Sequence, residues 1–596
     1  MKVTLINPPN ENYSVTQQIL INRGIQPQDI KQYINSTDEV INPPEALGDS
    51  YLYTAARMLI KAIQSNKKIL IIIDSDCDGF TSSAILINYL YFTFPAFVSN
   101  NISWFIHNGK EHGLSDCIDY ALTFDMVILP DAGSNDYEEH QKLRDKDIDV
   151  LILDHHEAEK ISTFACVINN QLSDYPNKEF SGAGVTWQFC RYIDKLLGKD
   201  YADKLIDLVA LGNCGDMMSM TSLETKHLIH KGFKPENISN PFIFEMWQKN
   251  KFKLGEHITP IGAAFYIVPF VNAICRSGTQ EEKDLIFRSM LTHEAFIEIP
   301  STKRGHGFGE MERVVDQALR TCTNVKNRQT RAQDAGLELL EQMIADRGLL
   351  DHKVLLFLLE PRQVQPEIRG LVANKFMAKY QRPCCILTKV TEDVVEVLGD
   401  AKVKAVFTKT SYQGSARGYD KSGITNFKDI CENSPGVLYA VGHQGAFGLG
   451  IDADKVDEFL QATDEALKDM SSEPSYYVDY ILTPEDDMKD IILTIADMQH
   501  FWGKDFDEAL VCIKGIRVKK DMISVMKSNT LKIVLPNGVS IIKFGATDEE
   551  IESLSSEGYV EIDVVCRCNA NEWNGNISPQ LMLEAYEIVD ACLWDF

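Results

Sequence analysis

Between Lys68 and about Cys214 the chain alternates short, uninterrupted apolar runs with stretches of helical periodicity. The runs are KKILIIID, ISWFIH, DMVILPD, DVLILDHH and ACVINN. Continuous Ile, Leu and Val of this length is the pattern of a strand buried on both faces. Strands alternating with helices predict βαβ units around a largely parallel sheet, here a core domain over 66–220. Residues 1–65 read as a mostly helical lead-in interrupted by Pro43-Pro44. Residues 221–325 read as a helical extension of the core, with irregular loops around Lys231–Pro241 and Pro300–Gly309. A long helix is expected from about Asn324 to Asp346, basic in its first half and apolar at helical spacing in its second, and it supplies a connector over 326–350. KVLLFLLEP, RPCCILTK, VLYAVG and the amphipathic DKVDEFLQATDEALKD then predict a smaller α/β domain over 351–472. Beyond EPSYYVDYILTPEDDMKD the pattern changes to short strands, with Pro536-Asn537-Gly538 as a hairpin turn, and 473–596 fits a small β-barrel. The fold class is therefore α/β and multidomain, as 596 residues require.

Chemistry-bearing residues follow these apolar runs. IIIDSDCDG (71–79) places Asp74, Asp76 and Asp78 within five residues, MVILPDAGS ends on Asp131, VLILDHHEAE presents Asp154-His155-His156, and ALGNCGDMM carries Asp216. All four runs read as strand-like, which would gather the acids at the strand ends of an open sheet, where such sheets bind ligands. Three anions so close repel one another unless a cation or solvent compensates them. Mixed carboxylate and imidazole donors suit Mn²⁺, Mg²⁺ or Zn²⁺ better than Ca²⁺. Each piece has a plain alternative: an Asp-Gly turn, a solvated His-His loop, an aspartate capping a helix. Their order and uniform placement favour a metal-dependent hydrolytic site.

The ordered set DSDCDGFTSS, LPDAGS, Asp154-His155-His156 and GNCGDMM resembles the DHH phosphoesterase superfamily. The rest of the chain narrows this to RecJ-like single-strand exonucleases. RGIQPQDIKQYI (23–34) and NPPEALGDSYLYTAARMLIKAI (42–63) are similar to the family's lead-in, and GKEHGLSD (109–116) to its glycine-bearing loop. FSGAGVTWQF, IVPFVNAICRSG and PEIRGLVANKFMAKYQRPCCIL also resemble it. QGSARGYD and VGHQGAFGLGI are similar to the DHHA1-type second domain, and NEWNGNISPQLMLEAYEI to the end of the oligonucleotide-binding barrel. The resemblance implies two divalent ions, Mn²⁺ or Mg²⁺, held by Asp74, Asp76, Asp78, Asp131, Asp154, His155 and Asp216. Asp131, His155 and His156 would be the catalytic residues, Asp131 bridging the ions and His156 either ligating or contacting the scissile phosphate. Arg276, Ser415, Arg417, Gly442 and His443 would grip the nucleic-acid backbone. The chain departs from the family at Ser75, where a tyrosine is usual, at Asn213-Cys214-Gly215, at Val441-Gly442, and in the loose junction HFWGKDFDEAL (500–510).

The implied activity is processive 5′→3′ hydrolysis of single-stranded DNA to 5′-mononucleotides in recombination and repair. Two alternatives come from other classes: a DHH phosphodiesterase on short oligoribonucleotides or cyclic dinucleotides, and a non-catalytic replication scaffold. The barrel argues against the first, and the intact ligand set against the second. A net charge of −27 opposes non-specific attraction to a polyanion, so basic residues must line one groove and binding should weaken with salt. Aromatic stacking on bases is expected, although the pattern singles out none of the 55 aromatic residues. The 14 cysteines lack metal-ribbon spacing and read as reduced core thiols of a cytoplasmic protein. No apolar leader or uninterrupted run of about 18 apolar residues appears, so no membrane partner is expected. The expected partner is single-stranded DNA, with a single-strand-binding protein or helicase as candidate protein partners. The absence of a coiled-coil seam makes a monomer the default. No internal repeat, low-complexity tract or dinucleotide fingerprint is present.

Overall fold

The computed structural model describes residues 1–596 apart from 110–111, 306–308, 399–402, 424, 471–472, 556–557, 574 and 593–596. Lys110 and Glu111 of the glycine-bearing loop and part of the Pro300–Gly309 loop therefore fall outside the described residues.

The five apolar runs form one parallel sheet, in the spatial order Ile102–Ile106, Ile69–Ile73, Met126–Pro130, Asp149–Asp154, Cys166–Asn169. Alternate residues of each strand feed two cores. Ile69, Ile71 and Ile73 pack with the helices Cys77–Thr93 and Gly182–Leu197, and Leu70 and Ile72 with Leu114, Ala121 and Leu143 on the opposite face. The order reverses between Ile69–Ile73, the first strand of this sheet in the sequence, and Met126–Pro130. A doubly wound sheet opens a crevice at such a reversal, beyond the carboxyl ends of the strands. Asp74 and Asp131 follow directly from those two strands.

Two expectations need correction. Asp216 does not end a strand: Ile206–Gly215 is an α-helix and Asp216 its C-cap. The run LVALGNCG is as apolar as a strand because it is buried all round, and periodicity cannot separate the two cases. The connecting helix runs Val314–Arg347, beginning about ten residues before the predicted start. Val315, Ala318, Cys322 and Val325 of its first half pack into the core around the parallel sheet, whereas Leu340, Met343 and Ile344 pack into the second domain. One rigid element thus belongs to both cores.

The second domain is a five-stranded sheet in which Leu355–Leu359 runs parallel to Cys384–Leu398, followed by Val403–Arg417, Ala446–Asp452 and Val437–His443 in antiparallel order. The C-terminal unit is a seven-stranded sheet, and Gly538, at φ +85°, closes the expected hairpin between Thr530–Val534 and Ser540–Lys543. The lead-in is mostly helical but opens on a strand, Lys2–Leu5, paired in parallel with Ser475–Val478. Arg23 adds a bidentate pair with the buried Asp479, at 2.8 and 3.0 Å. The first residues are thereby fastened to the C-terminal unit. No disulfide forms among the described residues. Pro260–Ser277 is the described segment long and apolar enough to span a membrane by composition. It is two helices that meet at Ile267, and Val271, Ala273 and Ile274 are buried in the protein core.

Candidate metal centre and nucleic-acid cleft

The carboxylates converge because backbone amides hold them. Asp76 caps the Cys77–Thr93 helix through Gly79 N at 2.9 Å. Asp78, 1% exposed, accepts from Gly182 N at 2.6 Å and Ala183 N at 3.1 Å, the first amides of the Gly182–Leu197 helix. These helix ends favour negative charge. Asp131 adopts φ +70°, a left-handed conformation that costs most residues energy but that Asp tolerates. Gly182 makes this possible, since a β-carbon there would lie 2.6 Å from Asp131 Cβ and 2.8 Å from its Cα.

His155 stands over the cluster. Its Nε2 lies 3.1 Å from Asp131 Oδ1, 3.4 Å from Asp216 Oδ2 and 3.8 Å from Asp78 Oδ2. Among the described residues of this cluster, three triads have donor atoms close enough to share an ion: Asp74/Asp76/Asp131, Asp78/His155/Asp216 and Asp131/His155/His156. Asp131 and His155 each belong to two of them. Asp154 has other partners. Its Oδ1 accepts from His155 N, His156 N and His156 Nδ1, the last at 2.8 Å, and its Oδ2 accepts from Ser134 N at 3.0 Å. The structure therefore places Asp154 as the residue that orients the two histidines and not in any of the three triads.

Electrostatics follow from this packing. Burial, reinforced by Asp74 and Asp78, lifts the Asp76 carboxyl to about 6. Burial, followed by the charges of Asp78 and Asp76, lifts Asp131 well above the usual range and Asp216 to about 8. Burial also opposes ionisation of Asp154, but the His156 hydrogen bond and charge outweigh it and hold this carboxyl below the usual range. For His156 burial is outweighed by the same bond, which raises the imidazole to about 9. Like charges crowded in a dry site account for the raised carboxyls, and the Asp154–His156 pair for the two opposite shifts.

A divalent ion fits the donor set. Asp131 Oδ1 and His155 Nε2 are buried and face each other at 3.1 Å, yet neither makes a hydrogen bond. Two such atoms are costly unless a further group binds both.

The centre opens into a cavity of about 1220 Å³ between the core and the second domain. Asp74, Asp76 and Asp216 line one wall, and Ser415, Arg417 and His443 the other, with Arg276 also in the lining. Gly442 does not line it. At φ +132°, and with a β-carbon position 2.9 Å from Ala446 O, it shapes the turn that presents His443. Lining residues that sequence reasoning did not single out include His112, whose Nδ1 lies 2.9 Å from Asp74 Oδ2, Lys504 from the C-terminal unit, and Gly370. His112 and Gly370 stand in segments already noted for their resemblance, GKEHGLSD and PEIRGLVANKF, whereas nothing in the local pattern marks Lys504.

Comparison with known proteins agrees with this layout. Residues 68–213 match the DHH family, N-terminal domain, and 478–585 match the RecJ OB domain. The SPbeta prophage-derived YorK of Bacillus subtilis, named as a single-strand DNA-specific exonuclease, is 31% identical over 99% of this chain and 98% of its own length. The single-stranded-DNA-specific exonuclease RecJ of the same organism is 23% identical over 97% of this chain and 68% of its own. Among solved structures, RecJ of Thermus thermophilus in complex with Mn²⁺ superposes with a TM-score of 0.68 over 99% of this chain and 80% of that one. At 18% identity that likeness is one of fold.

Proposed function

The chain belongs to the RecJ-like branch of the DHH family, and from that premise we propose that it is a metal-dependent exonuclease that hydrolyses single-stranded DNA from the 5′ end to 5′-mononucleotides. The observation that carries the reading is the buried pair Asp131 Oδ1 and His155 Nε2, neither hydrogen-bonded, beside Asp216, which lines a cavity whose far wall offers Arg417 and His443. Asp74, Asp76, Asp78, Asp131, His155 and Asp216 would hold two divalent ions, Mn²⁺ or Mg²⁺. Bound there, such ions supply Lewis acidity toward phosphoryl oxygens and activate water at neutral pH. The chain's own residues do the rest. Asp154 takes Nδ1 of His156 and leaves the other ring nitrogen of this partly exposed side chain to donate to the scissile phosphate. Arg276 and Arg417 offer forked donors to flanking phosphates, and Ser415 and His443 single ones.

Burial of the centre keeps solvent from competing for these donors, and a cleft walled by two domains suits a flexible strand better than a stiff duplex. The role follows as single-strand removal in DNA recombination and repair, in the cytoplasm, with a monomer as the working unit and a helicase or single-strand-binding protein as the candidate supplier of substrate. The test is a long single-stranded DNA labelled at either end, incubated with Mn²⁺. Immediate release of the 5′ label as mononucleotide, abolished by EDTA, is expected. Intact long strands with cleaved dinucleotides would move the enzyme to a small-substrate class, and cleavage of neither would leave a scaffold.

A further inference from the structure

Lys283 is 2% exposed and belongs to none of the groups assigned above. It sits in the helix Gln280–Met290, and its Nζ donates to Ser75 Oγ at 2.9 Å and to the His107 carbonyl at 2.6 Å. Ser75 Oγ donates in turn to the Cys275 carbonyl at 3.0 Å, and Ser75 N donates to Asp74 Oδ1 at 2.9 Å. Each contact leads to a different part of the cleft. Ser75 separates Asp74 from Asp76, Cys275 precedes Arg276, and His107 opens the loop that carries His112. From the same helix Gln280 Nε2 donates to the Ile106 carbonyl at 2.6 Å, so the strand end before His107 is held as well. An ammonium group is expensive to bury, and a methionine would fill the same volume without that cost. The charged group is where three segments meet.

We propose that Lys283 is a positioning residue for the metal centre: through Ser75 Oγ and the His107 carbonyl it fixes the Asp74–Asp76 loop, so that these carboxylates receive metal without rearranging. The inference rests on the metal reading above. Groups that orient ligands in this way commonly account for about 10–100-fold in metal affinity. Coulomb repulsion between an ammonium and an incoming cation acts in the opposite direction, so the sign of the effect separates positioning from simple charge.

The experiment titrates Mn²⁺ alone into the full-length chain and reads free Mn²⁺ by electron paramagnetic resonance. Lys283→Met should lose about tenfold in affinity and Ser75→Ala several-fold, and the double variant should lose less than the two losses combined, because both single changes break the shared Lys283–Ser75 bond. Melting curves of the metal-free proteins report folding. If Lys283→Met does not fold, Ser75→Ala alone decides, and unchanged affinity there overturns the proposal. Wild-type or tighter binding by a folded Lys283→Met also overturns it, as do losses that simply add. A wild-type chain that binds no Mn²⁺ overturns the metal reading itself, a result distinct from any of these.

Discussion

The two walls of the cleft hold their polar groups in different ways. On the core side three carboxylates are fixed by something rigid: two helix-terminal amides for Asp78, a cap for Asp76, and a left-handed backbone beneath Gly182 for Asp131. On the second-domain wall Arg417 is half-buried and donates to the carbonyl of its neighbour Ala416, and His443 is exposed at the end of the strand Val437–His443, which lies at the edge of its sheet. The difference matches two tasks. Bond cleavage requires reacting groups held within a fraction of an ångström, whereas a strand that must advance one nucleotide at a time needs contacts that can be made and released. Substitutions on the core wall should therefore act on kcat, and those opposite on KM.

The largest effect is expected at Asp131. Asn tolerates its left-handed backbone, so Asp131→Asn removes charge with little strain. Activity should fall on the order of 10³-fold, since an anion essential to holding the ions is lost. In EDTA the same variant should melt at a higher temperature than wild type, because the repulsion from Asp78 and Asp76 is relieved without metal present. An unchanged turnover would break the comparison at its centre.

Gly182→Ala tests rigidity without removing a charge. The added methyl would press on Asp131 Cβ and Cα, atoms close to the backbone that cannot swing aside. We expect kcat to fall on the order of 10²-fold with KM near wild type, and a loss of about 1–3 kcal/mol in stability from overpacking. Steady-state kinetics and a denaturant melt report both.

How much of this was legible follows from where each signal lives. Asp74, Asp131 and Asp154 were visible because they interrupt continuous apolar runs, and a strand buried on both faces leaves its polar end conspicuous. Asp216 was found, but on the wrong element, since its buried helix is as apolar as a strand. The rigid supports were not visible. Gly182 matters through the approach of a residue 51 positions earlier, and Lys283 through bonds to residues 208 and 176 positions away. Asp154 stood out because it adjoins two histidines, and only its hydrogen-bond partners show that it holds both of them. The domain order was readable, whereas the early start of the Val314–Arg347 helix was masked by mixing of polar and apolar residues in VVDQALRTCT.

Arg417→Ala probes the opposite wall. Loss of one forked phosphate contact should raise KM about tenfold and leave kcat within about twofold of wild type. It should also lower the salt dependence of binding. Each phosphate contact adds about 0.7 to the slope of log affinity on log salt for single strands, so between 50 and 200 mM salt the variant should lose about threefold less affinity than wild type. A slope equal to wild type would mean that Arg417 does not meet a phosphate.

The smallest effect is expected from Gly370→Ala, the same chemical change as Gly182→Ala made on the other wall. Gly370 lies inside the helix Pro366–Tyr380, and a β-carbon there would meet the guanidinium of Arg417, with Cζ at 3.1 Å. Here the obstacle is the end of a long side chain, which can rotate away at little cost, whereas at Gly182 it is the base of Asp131. Alanine also favours the helix over glycine by up to about 1 kcal/mol. The variant should therefore melt slightly above wild type, with KM raised about twofold as Arg417 moves and kcat unchanged. A fall in kcat comparable to that of Gly182→Ala would show that the second wall is built as rigidly as the first, and the division of labour between them would have to be abandoned.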